Sequence, residues 1–274
     1  DAVPLSEMPR VSLSDPIPIP DWDFRLPESL DGENAPRIGL YRSWQEPMTE
    51  GWTRWVFDQH GLPYDTIRDA RMREGSLEND YDVILFQSQD PASIRDGFSE
   101  GTLPTEYTGG IGSAGIRALQ AFVRNGGRVV AIEEATGLMI DVFDLGVADA
   151  VDRLPPQDFF IPGSILSVEL DPGHPLTLGE GDSTPVWYWR SSRAFEVDDP
   201  EVEVVARYSE GNPLLSGWLL GPQFIAGKPA LLTVEIGQGS LVLFGFQPDY
   251  RGQTVTTWPL LFNALAVGNR GSGS

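Results

Sequence analysis

The sequence predicts an α/β fold with a parallel sheet flanked by helices and a β-rich antiparallel extension in its second half. Apolar runs that end at turns alternate with amphipathic segments over residues 37–132, as in βαβ units. These runs are apolar along their whole length, which suits strands covered on both faces. The second half instead carries short strand-like segments separated by Gly and Pro, which is typical of antiparallel strands.

The elements of the parallel layer follow from these patterns in chain order. The helix predicted at 49–60 ends at Gly61. The helix predicted at 113–125 is capped by Ser113 and ends at Gly126-Gly127. In the first helix Trp52, Trp55 and Val56 share one face. The predicted strands are 37–41, 63–67, 81–86, 128–132 and 240–246, and the predicted helices are 49–60, 113–125 and 256–267.

The β-rich region is predicted as an antiparallel extension or a layer over one sheet edge. A tight turn at Gly237-Gln238-Gly239 joins its last strand to the final strand of the parallel layer. The strands predicted here are 164–170, 186–189, 202–208, 214–219 and 230–236.

Three segments divide the chain. Residues 1–36 contain seven prolines and are predicted to form an extended linker or docking arm, anchored at an interface by Trp22 or Phe24. Residues 37–267 form the α/β domain, with the β-rich insertion at about 160–220. Residues 268–274 are interpreted as a flexible tail or a cloning remnant.

Composition restricts the function classes. With 40 acidic against 19 basic residues the net charge is −21, which excludes nucleic-acid binding through phosphate neutralisation. The chain has no cysteine and no apolar run long enough for a membrane span. It begins at Asp1, so we expect a processed or excised piece of a longer protein. The acidic, arginine-rich composition fits either a salt-adapted or a GC-rich source.

Two familiar motifs are interpreted as structural. Gly110-Ile111-Gly112-Ser113-Ala114-Gly115 matches the dinucleotide fingerprint, but Thr105-Glu106-Tyr107-Thr108 precedes it where a strand is required. The two histidines, His60 and His174, lack the spacing of zinc ligands. We predict His60 as a helix C-terminal cap and His174 as a turn residue that donates to the backbone. No metal site and no cofactor are expected.

Glu133 and Glu134 follow the strand at 128–132 and are predicted to lie at an elbow before a helix. Two acids at a strand end can act as general acid and base when burial separates their pKa values. The alternative is that one caps the helix and the other is solvated, with Glu133 partly exposed. The wider candidate pocket at the strand ends comprises Trp44, Gln87, Asp90, Glu133, Asp249 and Arg251.

Trp187 and Trp189 are candidate interface residues. Within Trp187-Tyr188-Trp189-Arg190 they form either an aromatic patch that stacks on sugars or peptides, or a stripe that is half core and half surface.

Five motifs follow one another in the chain: Tyr41-Arg42-Ser43-Trp44-Gln45, Glu50-Gly51-Trp52-Thr53-Arg54-Trp55, Tyr107-Thr108-Gly109-Gly110, Glu210-Gly211-Asn212-Pro213-Leu214-Leu215-Ser216-Gly217-Trp218 and Leu243-Phe244-Gly245-Phe246-Gln247-Pro248. In order and spacing they resemble the C-terminal region of large bacterial secreted zinc carboxypeptidase-like proteins. In that family a glutamine amidotransferase-like domain follows the peptidase domain. The resemblance covers nearly all of residues 37–267 and implies a class I glutamine amidotransferase-like fold, with a flavodoxin-like parallel sheet.

The same resemblance implies that the catalytic residues of the amidotransferases are missing. Their nucleophilic cysteine would map near Glu133, and their histidine would map within Gly245-Phe246-Gln247-Pro248-Asp249-Tyr250, which contains no histidine. The zinc-binding motif belongs to the peptidase domain, which lies outside this sequence. The resemblance therefore implies association with a peptidase and not peptidase activity.

Three functions follow from these observations. The first is a non-catalytic accessory domain, secreted or periplasmic, that binds its preceding peptidase-like domain or a second copy of itself. The second is a structural subunit that self-assembles through the arm by strand addition. The third is a hydrolase or lyase that uses Glu133 together with Asp90, Asp249 or Arg251 at the strand ends.

Overall fold

The computed structural model describes residues 26–32, 35–45, 47–252 and 255–266. Twelve strands and six helices are described in this part of the chain. The strands are β1 Ile38–Tyr41, β2 Asp65–Ile67, β3 Val83–Phe86, β4 Arg128–Ile132, β5 Val147–Asp149, β6 Ser164–Leu170, β7 Ser183–Tyr188, β8 Phe195–Val197, β9 Val202–Tyr208, β10 Leu214–Ser216, β11 Pro229–Ile236 and β12 Gly239–Phe244. The helices are α1 Met48–His60, α2 Asp69–Glu74, α3 Pro91–Asp96, α4 Gly112–Arg124, α5 Ala135–Phe143 and α6 Trp258–Leu265.

Ten of the strands form one mixed sheet in the order β10-β6-β9-β11-β12-β4-β3-β1-β2, with β7 paired to β6. The pairs from β12 to β2 are parallel, and the pairs from β12 through β11 to β10 are antiparallel. The predicted fold class is confirmed: a largely parallel sheet lies between helices and continues into an antiparallel extension. The segments 81–86 and 128–132, which were predicted to lie in one sheet, pair directly as β3 and β4.

The parallel strands separate two hydrophobic cores. Successive residues of β3 point to opposite faces, so Val83 and Leu85 join one core whereas Ile84 and Phe86 join the other. Helices α1 and α6 cover the first face, and α2, α3, α4 and α5 cover the second. This double coverage explains why these strands read as continuous apolar runs.

The antiparallel extension curls back on the parallel sheet. Its strand β7 pairs with β6 and also forms an isolated bridge from Trp187 to Gln247, just beyond the end of β12. The backbone N–H of Gln247 donates to the Trp187 carbonyl at 3.3 Å. The buried rings of Tyr188, Tyr208 and Phe246 fill the interior of this curl. As a result β7 and the loop after it lie beside the carboxyl ends of the parallel strands.

Several local predictions need correction. The buried face of α1 is formed by Thr53, Val56 and Phe57, whereas Trp55 is 42% exposed and packs edge-on against Trp258. The predicted face was wrong because the large indole of Trp55 lies on the flank of the helix rather than beneath it. The small sheet of β5 and β8 was not predicted, since three-residue strands carry too little periodicity.

The glycine-rich segment before α4 serves close packing. Between β3 and this segment, the described chain contains no strand. A short 3₁₀ turn at Thr105–Tyr107 precedes the segment instead. A Cβ on Gly110 would lie 2.3 Å from the carbonyl oxygen of Ile94, and a Cβ on Gly97 would lie 2.3 Å from the carbonyl oxygen of Gly109. These glycines therefore allow two backbone segments to touch, as the structural interpretation of the motif requires.

The predictions for the ends of the chain lie mostly outside the described residues. This applies to the anchors Trp22 and Phe24 of the arm and to the tail at 268–274. The described end of the arm begins at Leu26 and includes a 3₁₀ turn at Glu28–Leu30, whose Leu30 side chain is buried in the core.

Candidate functional site

Glu133 lies at a sharp elbow between β4 and α5. Its φ is +47°, which is an uncommon conformation for a residue with a side chain. The Glu133 amide donates to the Phe244 carbonyl at 2.7 Å, so the elbow is tied to the end of β12. The Thr136 amide in turn donates to the Glu133 carbonyl at 3.0 Å. These contacts fix a strained turn at the carboxyl edge of the sheet, where α/β folds place their sites.

The side chain of Glu133 is enclosed by serines. It is 1% exposed. Ser191 Oγ donates to its Oε2 at 3.0 Å, Ser192 Oγ donates to its Oε1, and Ser88 contributes a third hydrogen bond. Burial raises the pKa of Glu133 to about 7, although the serine hydrogen bonds act in the opposite direction. The expected partial exposure of Glu133 is therefore wrong, because the loop after β7 folds over it.

Glu134 occupies the position before the first turn of α5 but makes no side-chain capping bond. Its carboxyl is partly buried, and this burial raises its pKa, while the nearby Arg193 lowers it and Asp90 raises it. The expected side-chain cap is therefore wrong, because Glu134 makes none and Glu133 is buried among serines, while Glu134 is partly exposed to solvent. The backbone of Glu134 is already helical, with φ −57° and ψ −34°, whereas a capping side chain usually stands on an extended residue.

A second buried carboxyl, Asp249, lies after β12 in a polar network. Thr53 Oγ1 donates to Asp249 Oδ2 at 2.6 Å, and Gln87 Nε2 donates to the same oxygen at 3.1 Å. Gln247 Nε2 donates to Gln87 Oε1 at 2.8 Å. Burial raises the pKa of Asp249 to about 6, against the effect of the Thr53 and Gln87 hydrogen bonds. Each of these four side chains is at most 2% exposed.

The structure brings only some of the predicted pocket residues together. Gln87 and Asp249 are in contact, but Asp90 is exposed and caps α3 by accepting from the Ser93 amide at 2.9 Å. Trp44 packs instead beneath the guanidinium of Arg68, 4.0 Å from its ring centroid. Arg251 is exposed and lies 5.1 Å from the centroid of Tyr250. The six candidates share an edge of the sheet without forming one open site.

The candidate interface residues Trp187 and Trp189 stack with Tyr250. The centroids of Trp187 and Tyr250 are 5.3 Å apart with nearly parallel rings, and those of Trp189 and Tyr250 are 5.8 Å apart. Tyr250 is buried, Trp187 is partly buried and Trp189 is 37% exposed. The stack is therefore partly core, with one exposed indole at its rim.

A cavity of about 600 Å³ opens beside the elbow. Glu134 and the Ser191–Arg193 segment border it on one side, and residues between Asp149 and Ile161 border it on the other. Within its wall Arg193 Nη1 pairs with Asp149 Oδ2 at 2.5 Å. The ring of Tyr188 also lines the cavity, whereas Glu133 lies just behind the serines.

The histidines take no part in this edge. His60 is the last residue of α1 and packs edge-on against Trp258 and Phe262, while Gly61 forms the actual C-cap in a left-handed conformation. His174 Nδ1 accepts from the Leu176 amide at 3.1 Å, so the prediction that His174 donates to the backbone is wrong. Among the described residues, no group of three His, Cys, Asp or Glu side chains is arranged to hold a metal ion.

Sequence reasoning missed the residues that hold the two buried carboxyls. These are Ser88, Ser191 and Ser192 around Glu133, and Thr53 and Gln247 around Asp249. The one available signal was the position of Gln247 in the segment compared with the amidotransferase histidine. The serines follow Trp189-Arg190 in a loop, and no periodic pattern relates such a loop to a distant strand end.

Comparison with known proteins gives similarity at the level of structure. No protein-family model and no curated protein matches the chain in sequence. A GMP synthase protein from Thermoplasma acidophilum superposes with a TM-score of 0.52 at 9% identity, covering 84% of this chain and 92% of that one. A cytoplasmic protein from Salmonella typhimurium gives a TM-score of 0.51 at 16% identity, covering 84% of this chain and 97% of that one.

A β-galactosidase from Bacillus circulans sp. alkalophilus gives a TM-score of 0.52 at 14% identity over 84% of this chain. The chain spans 30% of the length of that enzyme. In the described residues no helix has the length and apolarity that a membrane crossing needs. Identities this low establish shared architecture alone. The chain has a glutamine amidotransferase-like fold.

Proposed function

We propose that this chain is a non-catalytic interaction domain built on the glutamine amidotransferase-like fold. The observation that carries the proposal is the elbow itself. The resemblance places the amidotransferase nucleophile there, and this chain has a carboxylate, Glu133, that is 1% exposed and surrounded by serine hydroxyls. A side chain so enclosed contributes to folding and does not meet a substrate from solution.

The neighbouring strand ends support the same conclusion. Gln87, Gln247 and Asp249 use their polar atoms largely on one another and on Thr53. Gln247 stands in the segment compared with the histidine of the amidotransferases, and its side chain is fully buried. The polar groups at this edge therefore hydrogen-bond one another rather than a ligand, as expected where a former site has become part of the core.

The partner we propose is the peptidase-like domain that precedes such domains in the secreted zinc carboxypeptidase-like proteins, or a second copy of this chain. The five sequence motifs support this origin, and a secreted or periplasmic location follows from it. The exposed rim of Trp189 and the exposed Arg251 provide the kind of aromatic and arginine contacts that are enriched at interfaces. Self-assembly through the arm stays a prediction, since residues 1–25 lie outside the described residues.

Two assays test the proposal. The purified chain and its Glu133→Gln variant are assayed for glutamine, ester and peptide hydrolysis, and the zinc content is measured by elemental analysis. We expect no turnover above the blank for either protein and no stoichiometric zinc. Turnover that is lost in Glu133→Gln, or chelator-sensitive peptidase activity, would contradict the proposal.

Light scattering tests whether the chain binds a second copy of itself. The mass of the intact chain is compared with that of a variant lacking residues 1–36 and with that of Trp189→Ala. A mass above that of one chain, which falls in either variant, supports assembly through the changed region. If all three proteins are monomeric, binding is measured against the separately expressed peptidase-like domain. Absence of both interactions removes the proposal.

A carboxylate hydrolase is the second candidate. The pKa values of Glu133, about 7, and Asp249, about 6, favour it, because strongly raised carboxyl pKa values are common in active sites. Burial is the main cause of both raised pKa values, and neither carboxyl lines the cavity beside the elbow. The hydrolysis assay with Glu133→Gln therefore separates the two candidates.

A further inference from the structure

The turn at residues 189–192 covers the Glu133 carboxyl, and we call this turn the lid. The lid has a fixed point on each side. Before it, β7 bridges to Gln247, and after it the Arg193 N–H donates to the Gly245 carbonyl at 2.5 Å. The lid is therefore a segment of four residues between two anchored positions of the backbone.

Ser192 links the Glu133 carboxyl directly to Trp189. Its hydroxyl donates to Oε1 of Glu133 and accepts from the Trp189 backbone N–H at 2.8 Å. The Ser192 N–H donates in return to the Trp189 carbonyl at 3.1 Å, which closes the turn. Ser191 is a second lid residue on the same carboxyl, with its Oγ 3.0 Å from Oε2. A movement that takes these serines away from Glu133 therefore also moves Trp189.

The cavity beside the elbow provides space for such a movement. Its volume is about 600 Å³, and Ser191 and Ser192 are part of its lining, whereas Glu133 is not. The lid serines thus stand between this space and the carboxyl. An outward shift of the lid would allow Glu133 to become hydrated while β4 and α5 stay folded.

Ionisation of Glu133 favours the open lid. Burial is the main reason why the pKa of Glu133 is raised from 4.5 to about 7, so the closed lid disfavours the charged form. By linkage, the charged form disfavours the closed lid to the same extent. As pH rises from 4.5 to about 7, the equilibrium constant for opening should increase by up to about 300-fold, which is tenfold for each unit of this difference in pKa.

The ionisable groups around Glu133 do not oppose this change. Burial keeps the pKa of the two neighbouring tyrosines well above the usual range, so both stay neutral near pH 7. The adjacent carboxyl on α5 raises the pKa of Glu133 further. The groups are Glu134 on α5, Tyr188 on β7, Tyr208 on β9 and the ion pair of Arg193 with Asp149 beside the lid.

We propose that the lid is a pH-sensitive device that closes over neutral Glu133, opens when this carboxyl ionises, and carries Trp189 with it. In the closed lid the Trp189 ring rests on Gly163, where a Cβ would lie 2.7 Å from it, and stacks with Tyr250. The inference rests on the proposed function only in assigning the Trp189 indole to an interface. Binding through this indole should weaken as the lid opens, because a surface that is already ordered loses less entropy on binding.

Fluorine NMR of the intact chain labelled with fluorotryptophan tests the lid, and Trp189→Phe assigns the Trp189 resonance. Between about pH 4 and about pH 8 we expect this resonance to move towards the position of a solvent-exposed fluorotryptophan, with its midpoint between 4.5 and about 7. Glu133→Gln should lose most of this movement. Glu134→Gln, which removes the adjacent carboxyl, is the matched control and should keep it. A Trp189 resonance that is constant with pH in wild type, or that titrates equally in Glu133→Gln, overturns the proposal.

Light scattering at the two ends of this pH range separates the lid from the proposed function. We expect the mass of wild type to exceed that of one chain at the acidic end and to fall at the alkaline end, with a smaller fall in Glu133→Gln. A chain that is monomeric at both ends contradicts self-association, and the Trp189 resonance then decides on the lid alone. A resonance that moves while the association stays constant overturns the link between the lid and the interface.

Discussion

Thr53 on α1 donates a hydrogen bond of 2.6 Å to the carboxylate of Asp249, 196 residues away in the chain. Both side chains are fully buried. This bond joins the first helix to the loop after the last strand, and it is part of the network that closes the strand-end edge.

Thr53→Val should therefore destabilise the protein. The substitution keeps the shape of the side chain but leaves a buried carboxyl short of one donor, which costs about 1–3 kcal/mol. Urea unfolding followed by tryptophan fluorescence measures the change. Thr49→Val, one turn earlier on the same helix, is the control, because Thr49 Oγ1 is buried without a partner among the described residues and its removal should cost little. Equal effects of the two substitutions would show that the Asp249 bond contributes nothing.

Glu133→Gln should change how stability depends on pH. The carboxyl titrates at about 7 when folded, above the ordinary value of 4.5. As pH rises, the Glu133 carboxyl therefore ionises in the unfolded chain before it does so in the folded protein. Its contribution lowers the free energy of unfolding progressively between pH 4.5 and about 7, and this contribution stays constant above about pH 7. Glutamine resembles the neutral acid, so the free energy of unfolding of Glu133→Gln does not fall in this way as pH rises.

The stability of Glu133→Gln relative to wild type should rise by about 2 kcal/mol between about pH 5 and about pH 8. Unfolding curves at the two pH values measure this. Glu106→Gln, at an exposed position on the 3₁₀ turn, controls for the general loss of one negative charge. A pH-independent difference between Glu133→Gln and wild type would mean that Glu133 is ionised across this range.

Gly110→Ala should destabilise the chain by about 1–3 kcal/mol, as overpacking does, because the new Cβ collides with the Ile94 carbonyl. Gly51→Ala provides the contrast. Gly51 lies within α1 and its Cβ would meet nothing closer than the Arg54 guanidinium at 4.0 Å, so alanine should stabilise by about 0.5–1 kcal/mol. Thermal melts of both variants measure these shifts. A neutral Gly110→Ala would remove the packing explanation of the glycine motif.

Asp144→Gly should stabilise the protein by about 0.5–1 kcal/mol. Asp144 is the C-cap of α5 and has a φ of +53°, which glycine adopts without strain. Asp141→Gly, at an exposed position inside the same helix, should destabilise by about 1 kcal/mol. Chemical denaturation compares the two variants. A loss of stability in both would indicate that the exposed Asp144 side chain itself stabilises the protein, which would contradict the prediction.

The sequence was sufficient to predict the parallel layer, because β3 and β4 are buried on both faces and so carry an unbroken apolar signal. The elbow was predicted through the resemblance, which maps the amidotransferase nucleophile near Glu133, and the helix α5 that follows it agrees with this position. The enclosure of Glu133 was out of reach. It depends on Ser191 and Ser192 in a loop that returns only because β7 meets Gln247, and that meeting has no local signature.

The position of β12 has a consequence for biosynthesis. This strand is last among the described strands along the chain, yet in the sheet it lies between β11 and β4. Until residue 244 has left the ribosome, β4 presents an unpaired edge and the two halves of the sheet have no common strand. Between the synthesis of β4 and that of β12, the nascent chain therefore holds an incomplete layer with an exposed strand edge, which is the kind of species that is prone to aggregate. The two halves of the sheet become continuous only when β12 pairs with both β11 and β4.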